Sequence, residues 1–211
     1  KPGALEMLAQ FMDAHPRAGA CGGKLLYADG TLQHSAFMFP GLAQTFLEFF
    51  PLNHRLLNSR LNGRYPRAAY ASPFQVDHPL GACMMARAET IRQVGLLDEG
   101  FFMYSEELDW QRRIHAAGWE IHWVPAAEVV HYEGRSSARV PAATHIRFQR
   151  SKIRYFRKYH GLLPADFLRA LLLLSFLHQL ILESVKLALG HKPGLRRLRI
   201  ATYWKVLRSG L

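Results

Sequence analysis

Residues 101–137 read FFMYSEELDWQRRIHAAGWEIHWVPAAEVVHYEGRSS, and this stretch decides the fold. Ser105 stands before Glu106, Glu107 and Asp109. That order predicts a helix start, with a hydroxyl to cap exposed amides and carboxylates where the helix dipole favours negative charge. Leu108, Ile114 and Ala117 share an inward face, Arg112 and Arg113 pair back toward the acids, and Gly118 stops the helix. Trp119, Ile121 and Trp123 then alternate with Glu120 and His122, which predicts a half-buried strand broken by Pro125. A second short apolar run, Glu128 to His131, opens into a loop from Tyr132 to Ser137 that is rich in donors suited to phosphate. Acids in a first helical turn serve as caps as readily as they serve chemistry. A lone histidine after an apolar run is a structural residue as readily as a ligand.

The whole pattern carries more than its parts. FFMYSEELDWQRRIHAAGW, followed by VPAAEVVHYEGRSS and preceded by HPLGACMMARAETIRQVGLLDE, closely resembles the C-terminal half of the catalytic domain of family 2 glycosyltransferases. The likeness is greatest to the bacterial rhamnosyltransferase and galactofuranosyltransferase-like branch, and it runs from about Pro2 to about Gly161. It implies an α/β fold: part of a GT-A domain with a Rossmann-like mixed sheet. It also implies an inverting transferase that uses a nucleotide-sugar donor and a divalent cation, magnesium or manganese.

Residue by residue, the resemblance places the family's paired acids on Glu106 and Glu107. Glu107 falls on the general base that takes the proton of the acceptor hydroxyl. Glu stands there where the family usually has Asp, so the carboxylate is kept and moved by about one bond length. Asp109 matches the acid that supports the site, and His131 the histidine that helps hold the metal near the diphosphate. Twenty-four residues separate Glu107 from His131, enough for a helix, a strand, a turn and a second strand back to the same rim. Arg135 and Ser136 are expected near the donor diphosphate, and Asp77, His78, Gly81 and Ala82 near the acceptor, with Gly81 and Ala82 allowing close approach to the backbone.

Outward from this centre, Pro2 to His15 predicts a helix with Leu5, Leu8 and Met12 on one face. Ala18 to Tyr27 predicts a strand, Asp29-Gly30 a turn, and Thr31 to Ser35 a return strand. In the family, the Asp-x-Asp motif that binds metal and donor precedes this stretch, and no Asp-x-Asp occurs in these residues. The expectation is therefore a fragment or truncated product that carries the acceptor half of a site. Phe37 to Tyr70 is aromatic and basic with little periodicity, an excursion around the acceptor side or a variable insertion. Ala88 to Val94 predicts a short helix. The 211 residues, 49% hydrophobic, suffice for a real core. Cys21 and Cys83 read as reduced buried thiols, and no secretory signal opens the sequence, which together suit the cytoplasm.

The tail differs in character. From Ile146 onward there are 14 Lys and Arg against Asp166 and Glu183, a net +12, while the first 145 residues are net −1. The expected domains are thus 1–145, the acceptor-side catalytic part, and 146–211, a basic and apolar helical tail. Ile146 to Tyr159 predicts a basic helix ended by Gly161 and Pro164. Phe167 to Leu189 is long enough to span a bilayer but carries His178, Gln179, Glu183 and Lys186. With the basic segment His191 to Arg208 it reads as a helix pair lying on an anionic membrane, peripheral on the inner face. A helical hairpin packed on its own domain is the alternative.

The acceptor class implied is a glycan or polyprenyl-linked lipid in cell-envelope polysaccharide synthesis. Two other readings compete. One is a non-catalytic, membrane-binding remnant of such an enzyme. The other, suggested by a pI near 10.1, is a nucleic-acid-binding protein. The basic charge sits beside a leucine-rich helix rather than on a recognition element, and no zinc spacing or RNA-binding signature occurs, so no nucleic-acid partner is expected.

Overall fold

The strand β1 (Ala18–Leu26) is the axis of the sheet in the computed structural model, which describes residues 1–49, 59–132 and 141–211. Its parallel neighbour is β7 (Glu120–Val130), and the two run together from Ala18↔Glu120 to Leu26↔Val130. On the other edge of β1 two antiparallel strands share its length. They are β2 (Leu32–Gln33) at its C-terminal end and β6 (Met84–Ala86) nearer its N-terminal end. The far edge of β7 pairs with β4 (Phe74–Gln75), completing a mixed five-stranded sheet. A separate two-stranded ladder joins β3 (Ala36–Phe37) to β5 (His78–Pro79).

Burial explains why the sequence takes this arrangement. Helix α1 (Ala4–Ala14) lays Ala4, Leu8, Phe11 and Met12 on one face of the sheet, against Ala18, Cys21, Val124 and Ala127. Leu5, expected on that face, is 64% exposed, because Phe11 and not Leu5 completes the apolar stripe. On the opposite face Ala20, Ile121 and Trp123 meet Ala36, Val76 and Ile114. Adjacent residues thus feed two cores, Ala20 against Cys21 on β1 and Trp123 against Val124 on β7, while a register shift between Ala18 and Ala20 puts Ala18 on the Cys21 side.

Several local expectations change. The strand does not end at Pro125: the β1–β7 register passes from Gly23↔Val124 to Lys24↔Glu128, so Pro125 lies in a bulge that needs no amide from it. Gly23 allows this bulge, since a Cβ there would come 2.6 Å from the Ala127 carbonyl oxygen. The predicted return strand divides into β2 and β3, after a turn in which the Asp29 carboxylate accepts from the amide and hydroxyl of Thr31. The 37–70 excursion contains helix α2 (Leu42–Phe49) and two short 3-10 turns. Helix α3 (Ala88–Val94) lies where expected.

The chain divides into two compact units, Lys1–Asp98 with Glu107–Glu133, and Glu99–Glu106 with Gly134–Leu211. The second holds α5 (Pro141–His160), α6 (Leu162–Ala188) and α7 (Pro193–Arg208). Gly161, at φ 91°, alone separates α5 from α6. Pro164 belongs to the first turn of α6, where its missing amide costs no hydrogen bond. Between α6 and α7 the buried Glu183 accepts from Arg196 at 2.6 Å. This pairing lets a carboxylate sit in an otherwise leucine-rich helix.

Candidate active site

Helix α4 (Glu106–Ala116) brings the expected base to the sheet unit. It does not start as predicted: Tyr104 and Ser105 both adopt left-handed φ, 69° and 65°, so Ser105 lacks the extended backbone of an ordinary cap. Two consecutive non-glycine residues in that region store strain just before the paired acids. The buried face of α4 is also more polar than expected. Asp109, Gln111 and Ile114 are buried, while Leu108 and Ala117 are half-buried.

Each buried polar residue has a positioning task. The Asp109 carboxylate accepts from Arg113 Nε at 3.0 Å, and the Arg113 guanidinium donates to the carbonyls of Val94 and Leu96. These bonds tie α4 to the end of α3. Gln111 donates its amide to the Pro79 carbonyl at 3.1 Å, fixing α4 to the end of β5. Two residues after Pro79 comes Gly81, and Glu107 packs upon it: a Cβ on Gly81 would stand 2.8 Å from Glu107 Cγ. Gly81 and Ala82 are exposed and Glu107 is half-buried, so this is a carboxylate on a surface ledge. Nothing in the sequence singled out Gln111; only its place one helical turn after Glu107 hints at its role.

Asp77 and His78 lie before that ledge. The Asp77 carboxylate accepts from the Phe39 amide at 2.8 Å, and the Asp77 amide donates to the Tyr65 hydroxyl at 2.9 Å. His78 stacks on Phe37 at 5.7 Å and on Phe39 at 5.8 Å between centroids. Burial pushes its imidazole down to about 4, so the ring is neutral at pH 7. Both residues order the 37–39 segment beside the ledge.

His131 follows β7 at the carboxyl end of the parallel pair, the end where α/β sheets bind ligands. Its amide donates to the Leu26 carbonyl at 2.9 Å, and its Nδ1 lies 3.0 Å from Gln33 Oε1. Donation from Nδ1 to this acceptor leaves Nε2 with its lone pair. Glu106 Oε2 is buried with no hydrogen-bond partner among the described residues. Arg135 and Ser136 lie outside the described residues.

The divalent cation implied by the resemblance fares less well. No three His, Cys, Asp or Glu side chains among the described residues gather into a metal-binding group. The described residues alone do not make a cation site. The thiols take no part: burial raises Cys21 to about 12, and Cys83 is also raised by burial.

The model of glycosyl transferase family group 2 matches residues 1–207. The chain belongs to this family. Over 147 residues, 67% of the chain, it is 33% identical to the N-acetylglucosaminyl-diphospho-decaprenol L-rhamnosyltransferase of Mycobacterium tuberculosis, covering 46% of that protein. Over 69 residues, 33% of the chain, it is 35% identical to rhamnosyltransferase WbbL of Escherichia coli, covering 26% of that protein. Over 71 residues, 34% of the chain, it is 30% identical to a low-salt glycan biosynthesis hexosyltransferase of Haloferax volcanii, covering 23% of it. The chain therefore spans less than half the length of these relatives. The mixed sheet and the C-terminal helical region fit a GT-A-like domain.

Proposed function

We propose that this chain supplies the acceptor side of an inverting glycosyl transfer in cell-envelope polysaccharide synthesis. The donor is a nucleotide-diphosphate sugar, and the acceptor is a glycan or polyprenyl-diphosphate-linked sugar. The observation that carries the reading is Glu107 resting on Gly81, with Gln111 holding helix and ledge together. A carboxylate so placed can accept the proton of an acceptor hydroxyl lying over Gly81 and Ala82 while the oxygen attacks the anomeric carbon from the face opposite the departing diphosphate. Asp109 acts through Arg113 to orient the helix, and Glu106 flanks the base. His131, whose Nδ1 is taken up by Gln33, keeps Nε2 as an acceptor at the carboxyl end of the parallel pair.

The similarity to rhamnosyltransferases favours a deoxyhexose donor and an N-acetylglucosaminyl-diphospho-prenol acceptor. No Asp-x-Asp occurs in these 211 residues, so donor and cation binding are assigned elsewhere than to the residues described. A bound cation would steady the leaving diphosphate; the chemistry assigned to this chain is proton removal and acceptor placement.

The apolar outer stripe of α6 and the basic α7 favour a cytoplasmic protein peripheral on the inner face of a membrane. Among the described residues α6 alone is long and apolar enough to cross one. Its Glu183 pairs instead with Arg196 of α7, which favours a helix pair lying along the surface.

The test offers UDP-, GDP- and dTDP-sugars with a short prenyl-diphosphate-linked N-acetylglucosamine, with manganese or magnesium, to the chain and to Glu107→Gln. Sugar transfer lost in Glu107→Gln with acceptor binding retained supports the reading. Acceptor binding without transfer by either supports a purely acceptor-side role. Unimpaired turnover in Glu107→Gln removes the base, and absence of acceptor binding overturns the proposal.

A further inference from the structure

His131 follows β7 and Gly81 follows β5, yet one short piece of backbone, residues 33–35, holds both. At one end the buried Gln33 places Oε1 3.0 Å from His131 Nδ1. At the other the Ser35 carbonyl accepts from the Leu80 amide at 2.8 Å, and Gly81 is the next residue. Two residues of chain span at most about 7 Å. The ring of His131 and the ledge under Glu107 are therefore fixed from points no further apart than that.

This piece of backbone is rigid at each end. Gln33 pairs with Leu25 of β1, and Ala36, just beyond Ser35, pairs with Pro79 of β5. Ser35 Oγ accepts from Trp123 Nε1 at 2.9 Å and donates to the Gly23 carbonyl at 3.3 Å. Ser35 and Trp123 are both buried, and bonds shielded from water are the stronger for it. Gln33 is 4% exposed while His131 is half-buried, so the ring adapts to the amide and not the amide to the ring.

An amide oxygen only accepts. Opposite Gln33 Oε1, Nδ1 must carry the hydrogen, and a neutral ring then keeps its lone pair on Nε2. The backbone of His131 is held separately, by its amide on the Leu26 carbonyl. The tautomer and tilt of the ring are what Gln33 decides. Without an acceptor at Nδ1, both tautomers are open.

We propose that Gln33 is a positioning residue of the transfer site, which holds the His131 ring in the Nδ1–H tautomer and, through Ser35 and Leu80, at a set distance from the Glu107 ledge. It rests on the transfer reading in taking His131 and Glu107 as parts of one site, whereas the tautomer itself needs no turnover.

The experiment records the ring nitrogens of the isotope-labelled full chain by NMR at pH 8.5, with His131 assigned by the signal missing in His131→Gln, beside transfer kinetics of the same proteins. The variants are Gln33→Met, which keeps the volume and removes the acceptor, and Gln33→Glu, which keeps an acceptor oxygen. The parent is expected to carry the hydrogen on Nδ1. Gln33→Met should move it to Nε2, wholly or in part, with kcat lower by about tenfold or more. Gln33→Glu should restore both the tautomer and most of the turnover. A merely structural role would lower the melting temperature without moving the tautomer. If Gln33→Met alters the circular dichroism spectrum, Gln33→Asn, which withdraws the oxygen by one carbon, replaces it. A hydrogen on Nε2 in the parent, an unmoved tautomer in Gln33→Met, or a moved tautomer with unchanged kcat overturns the proposal. Absence of transfer by the parent defeats the transfer reading instead, and the tautomer in Gln33→Met then decides alone whether Gln33 positions His131.

Discussion

Gly81 and Glu107 occupy one another's space: the hydrogen of Gly81 points where any side chain would meet Glu107 Cγ at 2.8 Å and Cβ at 3.2 Å. The backbone of Gly81 is not in the left-handed region, so alanine is conformationally allowed there. The contact with Glu107 is therefore what alanine disturbs.

Gly81→Ala is expected to push Glu107 off the ledge by a few tenths of an ångström or into another rotamer. A change of rotamer displaces the carboxylate by about 1 Å or more, and turnover should then drop on the order of 100-fold. Thermal stability should move little, because Glu107 is half-buried and can turn toward solvent. Steady-state kinetics beside a melting curve read both effects. A fully active Gly81→Ala protein shows that the ledge does not set the position of the base.

Gln111→Met keeps the volume and removes the bond to Pro79. The fully buried Pro79 carbonyl then loses its partner, at a cost of about 1–3 kcal/mol in urea unfolding. If Gln111 also positions Glu107, its effect on kcat overlaps that of Gly81→Ala, and the double variant loses less than the product of the single losses. Strict multiplicativity confines Gln111 to a structural role.

The sequence announced the strand at Ala18, the strand at Trp119, the helix that begins in the acids and the basic tail, because each rests on local periodicity or composition; that the two strands pair in parallel did not show. Ile121 and Trp123 alternate into the core as their spacing requires, and Asp29-Gly30 turns the chain as its chemistry requires. What stayed hidden depends on residues distant in sequence. Pro125 reads as a strand breaker until the register against Gly23 shows the bulge that absorbs it. Leu5 reads as core until the sheet residues Cys21, Val124 and Ala127 take Ala4, Leu8, Phe11 and Met12 instead. In the site, Glu107 is visible through its motif, but the closeness of Gly81 and the bond from Gln111 arise from packing between β5 and α4.

His78 gives the fold a pH dependence of known sign. Its unfolded value is near 6.5 and its folded value about 4, so between these limits the unfolded chain takes up the proton first. The contribution is complete above pH 6.5 and is lost as the pH falls toward 4, amounting to no more than about 3 kcal/mol. Urea unfolding from pH 7.5 to 4 should show His78→Gln losing stability less steeply than the parent. Parallel curves mean that other groups carry the acid sensitivity.

The exposed side of α6 makes the sharpest claim about location. Leu163, Phe167, Leu174, Ile181 and Val185 are between 52% and 85% exposed, and their spacing places them along one side of the helix. The bilayer contact proposed for α6 would cover this stripe. Phe167→Glu/Leu174→Glu/Ile181→Glu changes only exposed positions, so melting temperature should hold. Each apolar side chain contributes about 1.5–3 kcal/mol when fully buried, and even partial immersion predicts a loss of more than about 100-fold in partition onto neutral vesicles. On anionic vesicles the basic residues of α7 retain part of the binding, at about 1 kcal/mol per residue near the surface. Sedimentation with both vesicle types separates the two contributions. If the triple variant sediments with both as the parent does, the stripe does not meet lipid, and the helices belong to a hairpin whose outer side faces something else.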